Sequence, residues 1–383
     1  MTDAPRPRTV ALVIGNLELG GAETQLTRLA NGLDRRRFKL FVVVLESGGE
    51  LEAALADDVP VFKLHLKRVT GRMVRGRVMK GVRVLRALAA VFREQKPDLV
   101  HGYLPAAYVL GAVAARMAGV KVMVAGRRGL TVFSGVQLPI GRVANRLIDL
   151  QICNSEAVRE YAIAREGLDR ARTRVVYNGI DVPPPGQRAA LPPEWRGGGA
   201  AAAMVANLRH YKGHPQVLRA VALVAKAHPD FRLVLIGEGT EANALVTQSR
   251  ELGLERSVVF AGLRPDAPHL MSGFDFTVLG SSQEGFPNVV MESLARGVPV
   301  VSTAVGGVLE LIADGVHGRL VPFGDVDAMA GAIMWMIEHP EERRRMGEAG
   351  RERMAKEFST ERMIAATEAI YEELLSGRSP AAP

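Results

Sequence analysis

The segment SSQEGFPNVVMESLARGVPVV, residues 281–301, places two glutamates, Glu284 and Glu292, on either side of a Gly-Phe-Pro turn. The apolar run FDFTVLG before it is typical of a buried strand, and Pro287 suits the first position of a helix. N–H groups at the start of a helix have no acceptor within it and bind phosphate or sugar oxygens. An ionised carboxylate repels phosphate and only accepts hydrogen bonds, so its partners are hydroxyl groups. The segment therefore predicts a site for a ligand that carries phosphate and sugar hydroxyls, although Glu292 alone would pass for an exposed helix acid.

Apolar runs on both sides of this segment alternate with helical patterns, as in parallel sheets with crossover helices. Seven runs precede residue 180: TVALVIG, FKLFVVVL, PVFKL, PDLVHG, VKVMVAG, LQICNS and TRVVYNG. Six follow residue 199: AAAMVANL, FRLVLIGEG, SVVFAG, FDFTVLGS, VPVVST and GRLVPF. The predicted class is α/β, with two doubly wound sheets whose strands end at a shared crevice.

The length of 383 residues favours two domains, because one core of that size is unusual. Residues 183–199 are dense in proline and glycine and predict a linker between an N-terminal domain, 1–182, and a C-terminal domain, 200–358. Helices are predicted at 215–227 and, capped by Asp325, through residue 337. Residues 341–375 are charged and are predicted to be helical.

The single cysteine, Cys153, lies in an apolar run and is expected to be a small core residue in a reducing compartment. The N-terminus lacks the long apolar region of a signal peptide. Residues 99–115 are free of charge but contain a histidine, a proline and two glycines, which favours a buried strand and helix over a membrane span. A cytoplasmic location is expected.

The net charge of +8 is concentrated in residues 63–96, which hold eleven Lys and Arg and one acid. Apolar residues at helical spacing predict a buried stripe in this segment: Val78, Val82, Leu85, Ala89 and Phe92. A solvated helix face explains the charges, and the alternative is attraction to an anionic membrane surface or acceptor, about 1 kcal/mol per basic residue near lipid. Nucleic acid is disfavoured, because no aromatic residues are interleaved with the charges.

Two features of the N-terminal half are candidates for ligand binding. In GNLELGGAETQLTRLA, Gly20 and Gly21 permit a tight entry into a helix near Ala22, whose free N–H groups suit an anion. Helix-entry geometry alone would also explain these glycines. His101 ends the PDLVH run, where it is either a satisfied polar residue or a partner for a sugar hydroxyl.

In the C-terminal half, VANLRHYKGH places Arg209 and Lys212 on a loop after a strand, where two cations can clamp a diphosphate. Two exposed surface cations would look the same. No Cys/His cluster is present, and the acidic pair Asp325 and Asp327 opens a helix, which indicates an N-cap rather than a metal site.

These elements resemble, in order, those of the family 4 glycosyltransferases of the GT-B fold, from about residue 9 to 357. The matching motifs are GGAE, PDLVH, VVYNGID, NLRHYKG, IGEG, VVFAGL, EGFPNVVMESLARGVPVV and GGVLELIADGVHGRLVP. Of these motifs, the one that contains the two glutamates eight residues apart is highly specific for the family. The glycine pair and the histidine are not specific.

The resemblance implies transfer of a sugar from a nucleoside diphosphate donor, for example a UDP-sugar, with retained anomeric configuration and without metal or other cofactor. The donor would bind mainly to the C-terminal domain and the acceptor to the N-terminal domain, with a central cleft between two Rossmann-like domains. Residues 359–383 would include a helix, about 360–375, that crosses back to the N-terminal domain. The expected setting is cell-surface polysaccharide or glycolipid synthesis. The expected acceptor is a sugar, a lipid-linked molecule or a phosphorylated molecule.

Carried onto matching positions, the resemblance implies that Arg209 and Lys212 bind the diphosphate. It implies that Glu292 binds the donor ribose and that Glu284 binds the transferred sugar. The implied catalytic residues are Glu284, His101, Arg209 and Lys212. The implied donor-binding residues are Gly21, Gly237, Gly262, Leu263, Glu284, Gly285, Phe286, Pro287, Asn288, Val289 and Glu292. The acceptor-binding residues are His101, Arg127 and Arg128.

The chain departs from the family pattern at three places. Asn207 stands where many relatives have an arginine, and this chain has Arg209 instead, so either residue is a candidate phosphate ligand. HGY follows PDLV in place of a commoner two-histidine pattern. Arg127 and Arg128 stand where relatives often have a histidine, which suggests an anionic acceptor.

Two other functions remain open on the sequence. A nucleotide-sugar epimerase shares the architecture and would need protein acids placed to cleave and remake the bond to the sugar. A non-catalytic protein that binds membranes or polyanions through its basic segment is the third hypothesis, and the complete Glu284/Glu292 and Arg209/Lys212 pairs argue against it.

Overall fold

The computed structural model describes residues 6–65, 74–130, 138–186 and 188–377, with 74–80 and 138–140 described by their backbone alone. The chain folds into two compact units. The first unit contains the chain up to Gly179 and again from Thr360, and the second contains Ile180–Ser359. The chain therefore passes between the units twice.

Both units are built on parallel strands. The strands of the first unit are β1 (Arg8–Ile14), β2 (Phe38–Val44), β3 (Val61–Lys63), β4 (Leu99–Tyr103), β5 (Val122–Arg127), β6 (Leu150–Cys153) and β7 (Thr173–Val175). Those of the second unit are β8 (Ala201–Val205), β9 (Arg232–Ile236), β10 (Val258–Gly262), β11 (Phe276–Leu279), β12 (Val300–Thr303) and β13 (Gly318–Val321). Every strand predicted from the apolar runs is confirmed.

Helices connect successive strands. The first unit has α1 (Gly21–Gly32), α2 (Val74–Gln95), α3 (Leu104–Met117), α4 (Leu138–Arg146), α5 (Glu156–Glu166) and α14 (Thr360–Leu375). The second has α6 (Pro193–Arg196), α7 (His214–Ala227), α8 (Ala242–Glu251), α9 (Ala267–Leu270), α10 (Asn288–Ala295), α11 (Val308–Leu311), α12 (Val326–Glu338) and α13 (Pro340–Glu357). Asp325 caps α12 as predicted, because its carboxylate accepts a hydrogen bond from the Ala328 N–H. No helix in the described part of the chain is long and apolar enough to cross a membrane.

The strand order is the same around the centre of each sheet. It is β3-β2-β1-β4-β5-β6-β7 in the first unit and β10-β9-β8-β11-β12-β13 in the second. The chain that leaves β1 runs to one side of the sheet, and the chain that leaves the adjacent strand β4 runs to the other side. The same holds for β8 and β11. Loops at the carboxyl ends of these strand pairs diverge and leave the crevice in which doubly wound sheets bind ligands. The predicted α/β class with two parallel, doubly wound sheets is confirmed.

Both faces of each sheet are buried, which explains the continuous apolar runs. In β1, Val10, Leu12 and Ile14 pack in one cluster with α1 and α14, whereas Ala11 and Val13 pack in another with α2 and α3. This is the twofold alternation of side chains along a strand. Cys153 is fully buried, as predicted for a core residue.

One prediction of domain organisation is wrong, and one prediction of helix packing is only partly right. Residues 183–199 are not a free linker, because they belong to the second unit and Trp195 of α6 is buried against its sheet. The predicted stripe of α2 is partly right: Ala89 and Phe92 are buried, but Val82 is 43% exposed, and Val84 and Leu88 are buried in its place. The valines of this segment permit two stripes, and packing against α3 and the sheet selects the second one. Val78 and much of the basic segment 63–96 lie outside the described side chains.

Candidate functional site

An ion pair bridges the two central strands of the second unit at their carboxyl ends. Lys212 follows β8 and Glu284 follows β11, and the Lys212 Nζ lies 2.7 Å from the Glu284 Oε1. The side chains are 15% and 9% exposed, respectively. Ser281 Oγ donates a second hydrogen bond, of 2.6 Å, to the same carboxylate oxygen. The structure thus brings together two of the predicted site residues and adds Ser281, whose role the sequence alone did not indicate.

The backbone beneath this pair is fixed by close packing of the two loops. Gly213 has a φ of +71°, and a Cβ there would lie 1.8 Å from the Gly280 carbonyl oxygen. The Ser282 N–H also donates to the Tyr211 carbonyl, at 2.8 Å. Only glycine satisfies both the left-handed backbone and the close approach at residue 213. The loop positions are therefore set by packing before any ligand arrives.

The loop after β12 closes on the same place. A Cβ at Gly307 would lie 2.0 Å from the Gly285 carbonyl oxygen, and the Gly307 N–H donates to the Glu284 carbonyl at 3.2 Å. Thr303 Oγ1 donates to the Ser281 carbonyl at 2.6 Å. The turn around Gly307 therefore supports the loop that carries Glu284.

Helix α10 begins beside Glu284, one residue later than predicted. Pro287 is the N-cap residue, with φ −74° and ψ 113°, and α10 starts at Asn288. The proline ring fixes φ but leaves ψ free, so proline just before a helix is compatible with the same sequence. The Pro287 carbonyl accepts hydrogen bonds from the Val290 and Met291 N–H groups. The N–H groups of Asn288 and Val289 precede these bonds and are the ones that the helix start presents.

Several further donor-site candidates lie in the same unit. Phe286 is buried and its ring lies 5.6 Å from that of Phe358, so its side chain anchors the loop rather than facing a ligand. Glu292 is half-buried in the second turn of α10. Asn207 and Arg209, in the loop after β8, are both exposed.

Gly237 follows β9, and Gly262 is the last residue of the neighbouring strand β10. Gly237 has a φ of +144°, and a Cβ there would lie 2.1 Å from the Ala206 carbonyl oxygen. Its N–H donates to the Gly262 carbonyl at 2.8 Å. Leu263, next to Gly262, is 55% exposed. The loops that carry these candidate residues therefore all lie at the carboxyl edge of the second sheet.

The sequence suggested that His101 ends a strand, but the structure places it within one. It is the central residue of β4, paired with Leu12 and Val124, and only 1% exposed. Its Nδ1 lies 2.6 Å from the Tyr371 hydroxyl of α14, and its Nε2 has no hydrogen-bond partner among the described residues. Burial, and next the charge of Arg128, lower the pKa of His101 well below its usual value. The imidazole is therefore neutral and enclosed.

The prediction that Arg127 contacts an acceptor is wrong. Arg127 is the last residue of β5, and its guanidinium forms two hydrogen bonds, of 2.9 and 2.7 Å, with Glu166 of α5. Both side chains are 1% exposed. Burial alone would lower the pKa of Arg127, but the hydrogen bonds and charge of Glu166 offset it and the net shift is upward. The strand pleat directs this side chain into the core rather than to solvent.

Arg128, one residue beyond β5, is half-buried and more accessible than Arg127. Its guanidinium lies 4.8 Å from the centre of the Tyr103 ring, and its Nη1 donates to the Asn178 side chain. It is therefore the one of the two arginines that stays a candidate for acceptor binding.

The start of α1, predicted to approach phosphate at Gly21, carries its own carboxylate. A Cβ at Gly20 would lie 2.3 Å from the Glu23 Oε2. Burial raises the pKa of Glu23, and hydrogen bonds from the Glu23 and Ala22 N–H groups oppose the shift. An anion would have to displace this side chain to reach the helix start.

Within the described ranges, no group of three or more His, Cys, Asp or Glu side chains is placed to hold a metal ion. Metal independence stays a prediction.

Two family models match the chain. One described as Glycosyltransferase Family 4 covers residues 19–183, and one described as Glycosyl transferases group 1 covers residues 192–353. The putative glycosyltransferase EpsD of Bacillus subtilis is 30% identical over 309 residues, which cover 75% of this chain and 80% of EpsD. The N-acetyl-alpha-D-glucosaminyl L-malate synthase of Bacillus anthracis is 32% identical over 171 residues, 45% of each protein. The chain thus spans less than half the length of that relative.

Solved structures share the fold over nearly the whole chain. HepE of Anabaena, in complex with UDP and glucose, is 24% identical and superimposes with a TM-score of 0.80, covering 96% of this chain and 100% of HepE. Sucrose-phosphate synthase of Thermosynechococcus elongatus is 18% identical with a TM-score of 0.78, covering 97% and 100%. The chain therefore belongs to the family 4 glycosyltransferases and has their GT-B fold.

Proposed function

We propose that the protein transfers a sugar from a nucleoside diphosphate donor, bound by the second unit, to an acceptor bound by the first, with retained anomeric configuration and without metal. The observation that carries this proposal is the ion pair of Lys212 and Glu284 across the central strands, next to Arg209 and the start of α10. This arrangement places positive charge and helix N–H groups beside a carboxylate. A diphosphate and the hydroxyls of an attached sugar need that combination.

The pair also resolves an electrostatic conflict. A diphosphate next to Glu284 would meet a like charge, but Lys212 lies 2.7 Å from that carboxylate and neutralises it. An ammonium group has three donors, so Lys212 can bind a phosphate oxygen while it keeps Glu284 in place. Glu284 then has its second oxygen for a hydroxyl of the transferred sugar.

The main contribution to rate would come from stabilising the departing diphosphate. Negative charge grows on the leaving group as the sugar bond breaks, and cations already in position stabilise it without reorganising. Arg209, Lys212 and the N–H groups of Asn288 and Val289 would supply that stabilisation. Retention on the same face lets the departing phosphate take the acceptor proton, so the proposal needs no protein base.

The other donor contacts follow from position. Glu292, in the second turn of α10, would accept hydrogen bonds from the ribose. The backbone at Gly262 and Leu263 would contact the base, and the backbone of Gly237, which follows β9, would contact the donor. A uridine diphosphate sugar is the first donor to test, because the HepE structure contains UDP.

The acceptor would be anionic, held through Arg128. Cell-surface polysaccharide or glycolipid synthesis is the proposed setting. It is supported by relatives such as the lipopolysaccharide core biosynthesis glycosyltransferase LpsE of Rhizobium meliloti, 35% identical over 43% of this chain and 46% of LpsE. Attraction of the basic segment 63–96 to an anionic membrane surface is part of the same proposal.

A thermal-shift panel of UDP, GDP and ADP sugars tests the proposal directly. A donor at a hundred times its dissociation constant should stabilise the second unit by about 2.7 kcal/mol. Transfer assays with the stabilising donor should then give a product of unchanged anomeric configuration by NMR, with the same rate in EDTA. Stabilisation by no nucleotide sugar, or isomerisation of the donor's sugar in place of transfer, would refute the proposal.

A further inference from the structure

The second unit contains a basic cavity that the proposed reaction does not use. Its volume is about 390 Å³, and its walls include Arg188, Arg296, Arg344 and Arg351. Ser272 and Gly297, which also line it, precede β11 and β12. The cavity therefore lies at the amino-terminal edge of the sheet, opposite the edge that carries Lys212 and Glu284.

Backbone carbonyls accept hydrogen bonds from three of the arginines. Arg351 Nη2 donates to the Pro183 carbonyl at 2.7 Å, and Arg296 Nη1 donates to the Glu292 carbonyl at 3.0 Å. Arg188 Nη2 donates to the Phe274 carbonyl at 2.9 Å. A guanidinium has five N–H donors, and peptide carbonyls orient it without cancelling its charge. These carbonyls therefore position the guanidinium groups, and that of Arg351, which no acid pairs with in the described part of the chain, keeps its positive charge for a ligand.

Negative charge around the cavity is sparse. Among the described residues that line it, Glu348 is the one acid, and it pairs with Arg344 at 2.6 Å. Asp275 lies 3.5 Å from Arg188 and is shared with Arg343 at 3.3 Å. Residues 183–383 carry 20 Lys and Arg against 24 Asp and Glu, a net charge of −4. Four arginines at one cavity in an acidic half of the chain are a local excess that favours an anion.

The geometry points to a phosphate group as the ligand. Planar guanidinium groups bind phosphate oxygens in pairs, which a single ammonium group does not do. The volume lies within the range of small-molecule sites, about 300–1,000 Å³, and exceeds what one inorganic phosphate needs. We propose that this cavity binds the phosphate of an organic phosphate monoester or diester, either free or as the headgroup of an anionic lipid.

Calorimetric titration of the full chain with glycerol 3-phosphate and with inorganic phosphate tests the site. We expect binding that weakens about tenfold in both Arg344→Gln and Arg351→Gln, since each removes a charge-assisted hydrogen bond. Arg345→Gln is the matched control, because Arg345 is the exposed neighbour of Arg344 on α13 and does not line this cavity. Arg344 is exposed and its removal should not affect folding, which keeps the test valid if Arg351→Gln is unstable.

Sedimentation with vesicles distinguishes the two sources of the phosphate. Binding to phosphatidylglycerol but not phosphatidylcholine vesicles, lost in Arg344→Gln and kept in Arg345→Gln, would assign a lipid headgroup. Binding of glycerol 3-phosphate alone with the same pattern would assign a soluble ligand. Absence of both kinds of binding at 150 mM salt, or equal losses in Arg344→Gln and Arg345→Gln, would overturn the proposal. Neither assay depends on sugar transfer.

Discussion

Two ion pairs, each with at least one residue that the sequence marked for ligand binding, have opposite environments. Lys212 and Glu284 lie on loops after their strands and keep 15% and 9% of their side chains exposed. Arg127 and Glu166 lie on a strand and a helix and are 1% exposed each. The cation on the last residue of a strand thus belongs to the packing of the sheet, whereas the cation several residues beyond its strand is available to a ligand.

The largest expected effect tests the buried pair. Glu166→Ala would leave the Arg127 guanidinium without its partner in the core, which costs about 3–5 kcal/mol. Urea unfolding should show this loss in the transition of the first unit, while donor affinity of the second unit stays unchanged. Glu160→Ala is the control on the same helix, because its pair with Arg170 is about half exposed, and it should cost less than about 1 kcal/mol. A similar loss of stability in both variants would mean that breaking the buried pair costs no more than breaking a half-exposed one.

The next effect tests the pair of Lys212 and Glu284 on the loops. Lys212→Gln should lower kcat by about 100- to 1,000-fold, since it removes a preorganised charge from the departing diphosphate. Lys226→Gln, at an exposed position near the end of α7, should leave kcat unchanged. The two variants should unfold at similar urea concentrations. A large stability loss with little change in kcat would reverse the roles assigned to the two pairs.

The elements, and much of the second-unit site, were predictable because they are local. Each strand is a short apolar run buried on both faces, and Arg209, Lys212 and Glu284 could be placed on loops by counting residues after those runs. The orientation of Arg127 and the enclosure of His101 were not predictable. They depend on Glu166 and Tyr371, which lie 39 and 270 residues away in the sequence. The burial of Trp195 likewise requires the sheet of the second unit, which begins after it.

A third measurement extends the comparison to a histidine near Lys212. His214 is buried without a hydrogen-bond partner in the described chain, and burial together with the charge of Lys212 lowers its pKa to about 4. Because the folded-state pKa lies below the unfolded value of 6.5, protonation favours unfolding. Stability that is complete above pH 6.5 should fall by about 3 kcal/mol by pH 4.

The variant His214→Leu should lose that part of the pH dependence in urea unfolding of the second unit. Lys212→Gln should move the midpoint of the loss to higher pH, because it removes the nearby positive charge. An unchanged pH profile in His214→Leu would show that the imidazole is hydrated or paired in solution and not enclosed without a partner.

The smallest effect concerns Glu292, which distinguishes a ligand contact from a packing contact within one helix. Glu292→Ala should weaken UDP binding about tenfold, the value of a hydrogen bond to a charged group, and should leave the unfolding transition in place. Glu255→Ala removes an exposed acid elsewhere in the second unit and should change neither quantity. Since Glu292 and Arg296 share one end of α10, a loss of stability without a loss of affinity would instead assign Glu292 to the packing of that helix. Calorimetry with UDP and urea unfolding on the same samples separate these outcomes.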